Sequence, residues 1–377
     1  MHRGYWEEEL KILILNYRDR KHPLAGGAEV HLHRIFGKLA ELGHEVILFT
    51  TSYKNAEKVE TIDGIKIIRC GSDAFFQLNV LFKVPKLIKE FKPDIVVEDL
   101  NKLPLFSPYI TKIPNLIQIH HLWKSSIFKE ASFPVAFAVW LGERLIPIVY
   151  KKCHFAAVSP SAKNELCELG ISGEKISVIY NGTENEYLDV EKSRGKSLYF
   201  LWLGRFRKYK GVWVAFKAFR IFSKKYPDVK LFFAGSGPEE AKMRKKARKW
   251  GLEDRVEFLG MVESKEKMEL MGKALGLLQT SYKEGWGLTV IEAAACGTAS
   301  IASNVSGLCD SVKDGITGLL FKAGDALDCA KKMEMLYDNN VLRNKLESEA
   351  RSYAGSFDWG NSAKETLFLM QSIISMG

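Results

Sequence analysis

Residues 283–297 read KEGWGLTVIEAAACG and carry one acid on each side of a glycine-rich bend. Glu284 stands just before the Gly-Trp-Gly bend, and Glu292 stands eight positions later, in a segment that predicts the start of a helix. The preceding residues 274–280, ALGLLQT, form a short apolar run that is typical of a buried strand. The stretch therefore predicts a strand, a glycine loop and a helix, the repeating unit of a parallel α/β sheet.

The same unit recurs along the whole chain. Residues 11–16, KILILN, form a continuous apolar run, as expected of a strand that is buried on both faces of a sheet. Residues 26–43, GGAEVHLHRIFGKLAELG, then place apolar side chains at helical spacing and end on a glycine. After a polar stretch at 183–197, the alternation starts again with LYFLWLG at 198–204.

Two successive series of strands and helices predict two doubly wound domains. A chain of 377 residues also exceeds the size of one ordinary core. We place the domains at 1–182 and 183–357, with 183–197 as the best candidate for a linker. The last helix, about 358–377, packs either back on the first domain or on the second.

The composition, with 46% hydrophobic and 27% charged residues, is that of a soluble globular protein. Six scattered cysteines without a Cys-x-x-Cys pair favour reduced thiols over disulfides or a zinc site. The N-terminal stretch, with three consecutive acids, lacks the apolar core of a signal peptide. Glu143 and Arg144 interrupt the most apolar segment, 133–150, which therefore does not predict a transmembrane helix. We expect a cytoplasmic protein.

The formal net charge of +10 predicts an anionic partner: a nucleotide, a phospholipid surface or nucleic acid. The densest basic run is KMRKKARKW at 242–250, which is either a solvated helix face or a nucleic-acid site. We favour the solvated face and expect no nucleic-acid partner, because no aromatic-basic stacking motif accompanies the run.

Polar and glycine residues follow the predicted strands, where parallel sheets bind their ligands. They are Gly26, Gly27, His120, Arg205, Lys210, Gly235, Gly237 and Glu284. Gly26 and Gly27 lead into a helix N-terminus, which favours phosphate, although a simple turn explains them as well. Arg205 and Lys210 have the chemistry to clamp a diphosphate, the alternative being two solvated loop cations.

Other classes of site find less support. Gly235 and Gly237 lack the third glycine of a dinucleotide fingerprint, because position 240 is Glu, and this disfavours a dehydrogenase. His120 and His121 end a strand and point to opposite faces, so at most one of them easily faces a ligand. No Asp-x-Asp motif is present to hold a metal-bound diphosphate, and we expect neither a metal nor a cofactor to be required.

The helix after the Gly-Trp-Gly bend predicts a second phosphate site. Backbone amides of Gly287, Leu288 and Thr289 open this helix, and glycine lets a ligand approach closely. Glu284 is suited to accept hydrogen bonds from sugar hydroxyls, and Glu292 to bind a ribose diol. The alternative is an N-terminal acid followed by an acid on the helix surface. Their separation in the chain gives no reason to assume a glycosidase-type acid/base couple.

Seven segments, in order along the chain, together resemble the pattern of glycosyltransferase family 4: GGAEVHLHRIFGKLAELGHEV, QIHH, VSPSAKNEL, VIYNG, LGRFRKYKG, FFAGSGP and EGWGLTVIEAAACGTASIA. The last contains the E-x(7)-E signature and is the most specific. The resemblance implies a retaining nucleotide-sugar transferase of the GT-B fold, with two Rossmann-like domains facing across a cleft. The first domain would bind the acceptor and the second the donor.

The resemblance also implies roles for individual residues. Arg205 and Lys210 would bind the donor diphosphate, Glu292 its ribose, and the Gly27 amide a phosphate. Departures from the family pattern are Trp286, where Phe is commoner, and Tyr180, in place of a proline.

Two catalytic residues follow from the same resemblance. Glu284 would contact the transferred sugar, and His120, in preference to His121, would lie near it. The reaction would develop positive charge at the anomeric carbon while cations and amides stabilise the leaving diphosphate. The leaving phosphate would take the proton of the acceptor on the same face.

The acceptor is not readable from these motifs; a glycan, a lipid-linked compound and a small molecule all stay open. Residues 74–92, AFFQLNVLFKVPKLIKEFK, have the composition for contact with an anionic bilayer, and equally that of a core-packing helix. Alternatives to a transferase are a sugar-nucleotide epimerase or hydrolase of the same fold, and a non-catalytic sugar-nucleotide-binding subunit.

Overall fold

The computed structural model describes residues 8–100, 103–190 and 196–376. The chain forms two compact units: unit 1 consists of 1–182 and 359–377, and unit 2 of 183–358. The N-terminal residues 1–7, on which the signal-peptide argument partly depends, and residues 191–195 of the expected linker lie outside the described residues.

Unit 1 is built on a sheet whose strands alternate with helices. Its strands are Lys11–Leu15 (β1), Glu45–Thr50 (β2), Val59–Ile62 (β3), Ile65–Arg69 (β4), Ile95–Asp99 (β5), Asn115–Ile119 (β6), His154–Ala157 (β7) and Ile176–Val178 (β8). Its first five α-helices are Gly27–Glu41 (α1), Phe76–Phe91 (α2), Ser107–Ile110 (α3), Phe133–Val149 (α4) and Pro160–Glu168 (α5). Short 3-10 helices span Asp73–Phe75, Lys124–Lys129 and Gly173–Lys175.

Within the described part of unit 1, the eight strands lie in the order β3-β4-β2-β1-β5-β6-β7-β8. All neighbouring pairs are parallel except β3 and β4, which form an antiparallel hairpin. This hairpin was not predicted from the sequence. Its two-residue turn is Asp63-Gly64, and both residues have positive φ, which is the Asp-Gly signal for such a hairpin.

Unit 2 repeats the alternation with its own sheet. Its strands are Tyr199–Leu203 (β9), Lys230–Ala234 (β10), Val256–Gly260 (β11), Gly276–Gln279 (β12), Ser300–Ser303 (β13) and Gly318–Phe321 (β14). Its helices are Asn185–Leu188 (α6), Val212–Phe222 (α7), Glu240–Trp250 (α8), Ser264–Lys273 (α9), Leu288–Ala295 (α10), Leu308–Ser311 (α11), Ala326–Asp338 (α12) and Asn340–Ala354 (α13), with a 3-10 helix at Lys208–Lys210.

The six strands of unit 2 that the structure describes are parallel, in the order β11-β10-β9-β12-β13-β14. The order reverses direction at β9, which has β10 on one side and β12 on the other. In unit 1 it reverses in the same way at β1, which lies between β2 and β5. The predicted α/β class with two Rossmann-like parallel sheets is confirmed. Such reversal points are where doubly wound sheets bind ligands at the carboxyl ends of their strands.

The final helix, Trp359–Met376 (α14), belongs to unit 1 and packs against α1. Its buried face includes Trp359, Ala363, Leu367 and Met370. Ser362 Oγ also donates a hydrogen bond to the Tyr180 carbonyl at 2.6 Å. The chain thus leaves unit 1 after residue 182 and returns to it at residue 359.

Two other sequence expectations concern the membrane and the cysteines. Among the described residues, no helix is both long enough and apolar enough to cross a membrane. All six cysteines are free thiols.

Candidate active site

The loops that follow β9 and β12 lie side by side at the reversal point of the unit 2 sheet. Thr280 Oγ1 donates to the Gly211 carbonyl at 2.9 Å, and the Tyr282 N–H donates to the Tyr209 carbonyl at 2.7 Å. Gly211 has φ of +63°, and a Cβ at this position would lie 1.8 Å from the Thr280 carbonyl oxygen. Glycine is therefore required for the two loops to approach this closely.

This approach joins two predicted site residues, Lys210 and Glu284, in an ion pair. Glu284 Oε1 also accepts hydrogen bonds from Ser281 Oγ at 2.8 Å and from Gln279 Nε2 at 3.2 Å. Three donors therefore converge on one carboxylate oxygen. The other oxygen has the chemistry to accept hydrogen bonds from a sugar hydroxyl.

Lys210 is a partly buried cation whose charge is maintained by its neighbours. Burial, the largest effect, lowers its pKa, but Glu284 and Tyr209 raise it, and the net shift is upward. Arg205 opposes that shift through its own charge. Arg205 is exposed while the next residue, Phe206, is fully buried, so the alternation along the loop holds the guanidinium outward. Its Nη2 lies 3.2 Å from the Tyr209 hydroxyl.

The start of α10 extends the same site. Gly287 precedes the helix with φ of +93°, and the first amides of a helix have no partner within it. Thr289 Oγ1 accepts a hydrogen bond from Gln279 Nε2 at 3.2 Å, which links α10 to the Glu284 cluster. Leu288, between these two residues, is half-buried. Glu292 lies one turn beyond Thr289 on the same helix face.

Glu292 forms an ion pair with Lys267 of α9, with 2.6 Å between Oε2 and Nζ. The family resemblance implies a ribose-binding role for Glu292, and Lys267 is not among the residues predicted from the sequence. Tyr187 of α6 lies next to this pair, and burial together with the Glu292 charge raises the pKa of Tyr187 to about 12. The phenol therefore stays neutral and retains its proton.

The packing of neighbouring loops requires glycine at positions 235 and 237. A Cβ on Gly235 would lie 2.0 Å from the Gly204 carbonyl oxygen, and one on Gly237 would lie 2.8 Å from that of Phe206. Both glycines let the loop after β10 cross the loop after β9. The backbone of the loop after β10 therefore lies next to Arg205.

In unit 1, His120 lies at the end of β6 beside Asp99, the last residue of β5. Its Nε2 is 3.1 Å from Asp99 Oδ1 and 3.3 Å from Oδ2. The ring of His31, from α1, meets the His120 ring edge-on, with 4.9 Å between centroids. His31 Nδ1 is 2.6 Å from Asn181 Oδ1. His121 instead packs its ring against Trp123, at 5.0 Å.

The N-terminus of α1 is adjacent to this cluster. The Gly26 N–H donates to Glu29 Oε2 at 2.6 Å, and the helix begins at Gly27. Of the two glycines, Gly26 already has its amide engaged by the protein. Glu29 is buried, and its charge acts on His120.

Sequence reasoning missed several polar residues that surround the predicted ones. They are Glu29, His31, Asp99, Asn181, Tyr187, Lys267, Gln279 and Ser281. A signal existed for Asp99 and Gln279, because each is a polar residue at the end of an apolar strand at the ligand-binding edge. Lys267 and Tyr187 carry no local signal, since only the packing of α6 and α9 against α10 brings them to Glu292.

The candidate residues do not form a recognisable metal centre. In the part of the chain that the structure describes, no group of three or more His, Cys, Asp or Glu side chains is arranged to hold a metal ion. The charged groups of the unit 2 site are Arg205, Lys210, Lys267, Glu284 and Glu292.

Comparison with known proteins gives two family matches. Residues 25–187 match the family described as "Glycosyltransferase Family 4", and residues 183–353 match "Glycosyl transferases group 1". A D-inositol 3-phosphate glycosyltransferase from Paenarthrobacter aurescens is 26% identical over 394 aligned positions, which cover 93% of this chain and 94% of that protein.

Solved structures show the same fold. Sucrose-phosphate synthase from Thermosynechococcus elongatus superimposes with a TM-score of 0.82 at 20% identity and covers 97% of this chain and 99% of its own. Anabaena Alr3699/HepE, solved in complex with UDP-glucose, superimposes with a TM-score of 0.77 at 19% identity and covers 97% of this chain and 100% of its own. These similarities bear out the predicted GT-B fold.

Proposed function

The chain belongs to the glycosyltransferases of family 4 and group 1, and on that premise we propose that it transfers a sugar, with retention, from a nucleotide-diphosphate sugar to an acceptor. Unit 2 binds the donor and unit 1 the acceptor. The co-substrate is the nucleotide sugar, and neither a metal nor another cofactor is required.

The observation that carries this proposal is the Lys210–Glu284 pair at the reversal point of the unit 2 sheet. A partly buried ammonium next to Arg205 suits a diphosphate, whose negative charge grows as it leaves. A carboxylate with one oxygen held by three donors suits a sugar hydroxyl on the other oxygen. Sugar and leaving group would thus be held by neighbouring side chains.

The remaining predicted residues keep their roles in this proposal. The amides of Gly287, Leu288 and Thr289 face a phosphate, and Glu292 binds the ribose. His120 is the catalytic histidine, and its contacts with Asp99 and His31 hold its ring in one orientation. The leaving phosphate takes the proton of the acceptor hydroxyl as the new glycosidic bond forms.

A thermal-shift screen with UDP-, GDP- and ADP-sugars tests donor binding. A ligand at a hundred times its Kd stabilises the folded state by about 2.7 kcal/mol, so the donor that fits is expected to raise the melting temperature. The same screen with EDTA present tests metal independence. Failure of all three nucleotide classes to bind would contradict the proposal.

Substitution Glu284→Ala separates chemistry from binding. We expect turnover to fall by about a hundredfold or more, because the hydroxyl of the transferred sugar loses the carboxylate that accepts its hydrogen bond. Affinity for the nucleotide diphosphate is expected to be retained, because Lys210 is then available to bind phosphate. The matched control is Glu334→Ala, which removes a surface ion pair to Lys225 in the same unit. Unchanged turnover in Glu284→Ala would remove the role of this residue.

Product analysis distinguishes the competing activities. A transferase yields an acceptor with a new glycosidic bond, and NMR of the anomeric proton gives its configuration. An epimerase changes the free nucleotide sugar, and a hydrolase releases free sugar. A non-catalytic subunit binds the donor without any product.

We also propose that the acceptor is lipid-linked and that unit 1 contacts an anionic membrane, at its cytoplasmic face. On α2, Leu78, Leu81 and Phe82 are exposed, while Phe76 and Val80 face the core. The exposed side also carries Lys83, Lys86 and Lys89. An apolar face flanked by lysines favours anionic headgroups, and the free thiols are typical of a reducing compartment.

Helix α4 adds a second apolar surface to unit 1. Phe133, Phe137, Leu141 and Ile148 are exposed along it. The acid of this helix, Glu143, is buried and accepts the backbone N–H groups that follow β6, at 2.6 and 2.8 Å. The exposed side of α4 is therefore free of negative charge that an anionic bilayer would repel.

Sedimentation with lipid vesicles tests this contact. We expect the protein to pellet with phosphatidylglycerol vesicles and much less with phosphatidylcholine, and a Phe133→Ser/Phe137→Ser variant to lose most of that binding. The control is Met261→Ser/Val341→Ser, which removes two exposed apolar residues of unit 2. Equal recovery of both variants in the pellet would contradict a contact through α4.

A further inference from the structure

Lys267 and Tyr187 flank Glu292, and none of the roles assigned above uses them. Lys267 Nζ lies 2.6 Å from Glu292 Oε2. The Tyr187 hydroxyl raises the pKa of the same ammonium, whose nitrogen lies 5.4 Å from the centre of that ring. The three residues come from α9, α10 and α6, which pack together in unit 2.

The ion pair between Lys267 and Glu292 is less exposed to solvent than an ordinary surface ion pair. The side chains of Lys267 and Glu292 are 20% and 17% exposed. For a buried pair the cost of desolvation about equals the Coulomb attraction, so it contributes little net stability. It does restrict the carboxylate, because rotating it away would leave a buried ammonium without its counter-charge.

The protonation state of Lys267 supports its role in fixing the Glu292 carboxylate as a hydrogen-bond acceptor. Burial lowers the pKa of Lys267, but Glu292 and Tyr187 outweigh it and the net shift is upward. The lysine therefore remains a cation. An ionised carboxylate offers about four lone-pair positions, more than one ammonium occupies.

The geometry points to Lys267 and Tyr187 as positioning residues for nucleoside recognition: they hold the Glu292 carboxylate so that its remaining lone pairs receive the two ribose hydroxyls. This inference rests on the proposed function, in which Glu292 binds the ribose. Tyr187 acts on Glu292 through Lys267, because its ring and hydroxyl lie next to the ammonium that pairs with the carboxylate.

The test is discrimination between a nucleotide and its deoxy analogue. A hydrogen bond to a charged group changes affinity by about tenfold or more, so wild-type protein is expected to bind UDP, GDP or ADP about tenfold more tightly than the 2′-deoxy form. We expect Lys267→Met to reduce this ratio to about two, because the Glu292 carboxylate would then rotate freely and no longer be oriented toward the ribose hydroxyls. Calorimetry with each pair of diphosphates measures the ratio directly.

Three variants separate positioning from general stability. Lys267→Arg keeps the positive charge and is expected to retain most of the wild-type ratio of ribose to deoxyribose affinity. Tyr187→Phe is expected to lower that ratio by about half. The matched control is Lys196→Met, which removes a buried ion pair of the same unit, Lys196–Glu347, with side chains 13% and 11% exposed. Lys196→Met is expected to lower the melting temperature and leave the ribose-to-deoxyribose ratio unchanged.

The outcomes distinguish this inference from the proposed function. Retention of the full ratio in Lys267→Met would overturn the positioning role and leave the donor site intact. Loss of the ratio in Lys196→Met as well would also overturn it, since the effect would then be one of stability. Failure of the wild-type protein to bind any of the three diphosphates would overturn both the proposed function and this inference.

Discussion

Two buried histidines of unit 1, 4.9 Å apart, have opposite protonation preferences because their neighbours differ. Burial, and then the charge of His120, lowers the pKa of His31 to about 3. Burial also lowers the pKa of His120, but the charge and hydrogen bond of Asp99, with the charge of Glu29, outweigh it and the net shift is upward. His31 is therefore neutral near pH 7, and His120 is the ring that takes a proton.

These opposite shifts have opposite consequences for stability. His120 has a folded-state pKa above the unfolded value of about 6.5, so its contribution is full below that pH and is lost as pH rises through the folded pKa. His31 has a lowered pKa, so the unfolded chain binds the extra proton below about pH 6.5. Its contribution falls by about 1.4 kcal/mol per pH unit from about 6.5 toward 3.

Substitution Asp99→Asn tests the origin of the His120 shift. It removes the charge that raises the pKa, so burial should dominate and the His120 pKa should fall below 6.5. Histidine NMR titration of both proteins measures the change. Asp94→Asn is the control, because Asp94 Oδ2 accepts a hydrogen bond from the Lys11 N–H at 2.7 Å and does not contact His120. An unchanged His120 pKa in Asp99→Asn would contradict this account.

At the scale of the element, contacts between loops bring Lys210 and Glu284 together at the unit 2 site. The loops after β9 and β12 touch through backbone atoms at Gly211 and Thr280, and the loops after β9 and β10 cross at Gly235. In each case the missing side chain is what lets two segments meet. The ion pair between Lys210 and Glu284 depends on the first of these crossings.

Two glycines with the same backbone conformation allow a matched test of that crossing. Gly211 and Gly251 have φ of +63° and +64°, but a Cβ on Gly251 would have nothing within 4 Å. We expect Gly251→Ala to cost about 1 kcal/mol, for the left-handed conformation alone, and Gly211→Ala to cost about 1–3 kcal/mol more, for the clash.

Urea denaturation measures both costs, and calorimetry with UDP, GDP or ADP adds a functional readout. Displacement of the β9 loop should weaken diphosphate binding in Gly211→Ala alone. Equal destabilisation by the two substitutions would show that the loops separate without penalty.

At the scale of the whole molecule, the two units are not two successive pieces of chain. Unit 2 is continuous from 183 to 358, whereas unit 1 needs both 1–182 and 359–377. Trp359, at the start of α14, also meets the ring of His31 edge-on, with 6.1 Å between centroids. The last helix therefore completes the core of unit 1 next to His31, which contacts His120.

Fragment expression tests this organisation. We expect residues 183–358 to fold alone and to retain diphosphate binding, because they contain a complete sheet and its helices. Residues 1–182 alone should aggregate, since they expose the apolar surface that α14 covers, and a linker to 359–377 should restore folding. Circular dichroism and two-dimensional NMR measure the outcome. A well-dispersed NMR spectrum for 1–182 alone would contradict it.

The sequence by itself determined the α/β class, the order of most elements and the residues at the carboxyl ends of the strands. Apolar runs mark buried strands, helical spacing marks helices, and glycines mark the loops after strands, because each of these is a local property of the chain. The hairpin of β3 and β4 was missed although its Asp-Gly turn is also local. The ordered family motifs identified the transferase and selected Glu284, Glu292, Arg205 and Lys210.

The tertiary structure alone decided which of these residues meet. Lys210 and Glu284 are 74 positions apart and become partners only because β12 lies next to β9. Asp99 reaches His120, and Lys267 reaches Glu292, through strand pairing and helix packing in the same way. No short window of sequence contains such contacts, since strand order and helix packing are set by burial summed over a whole unit.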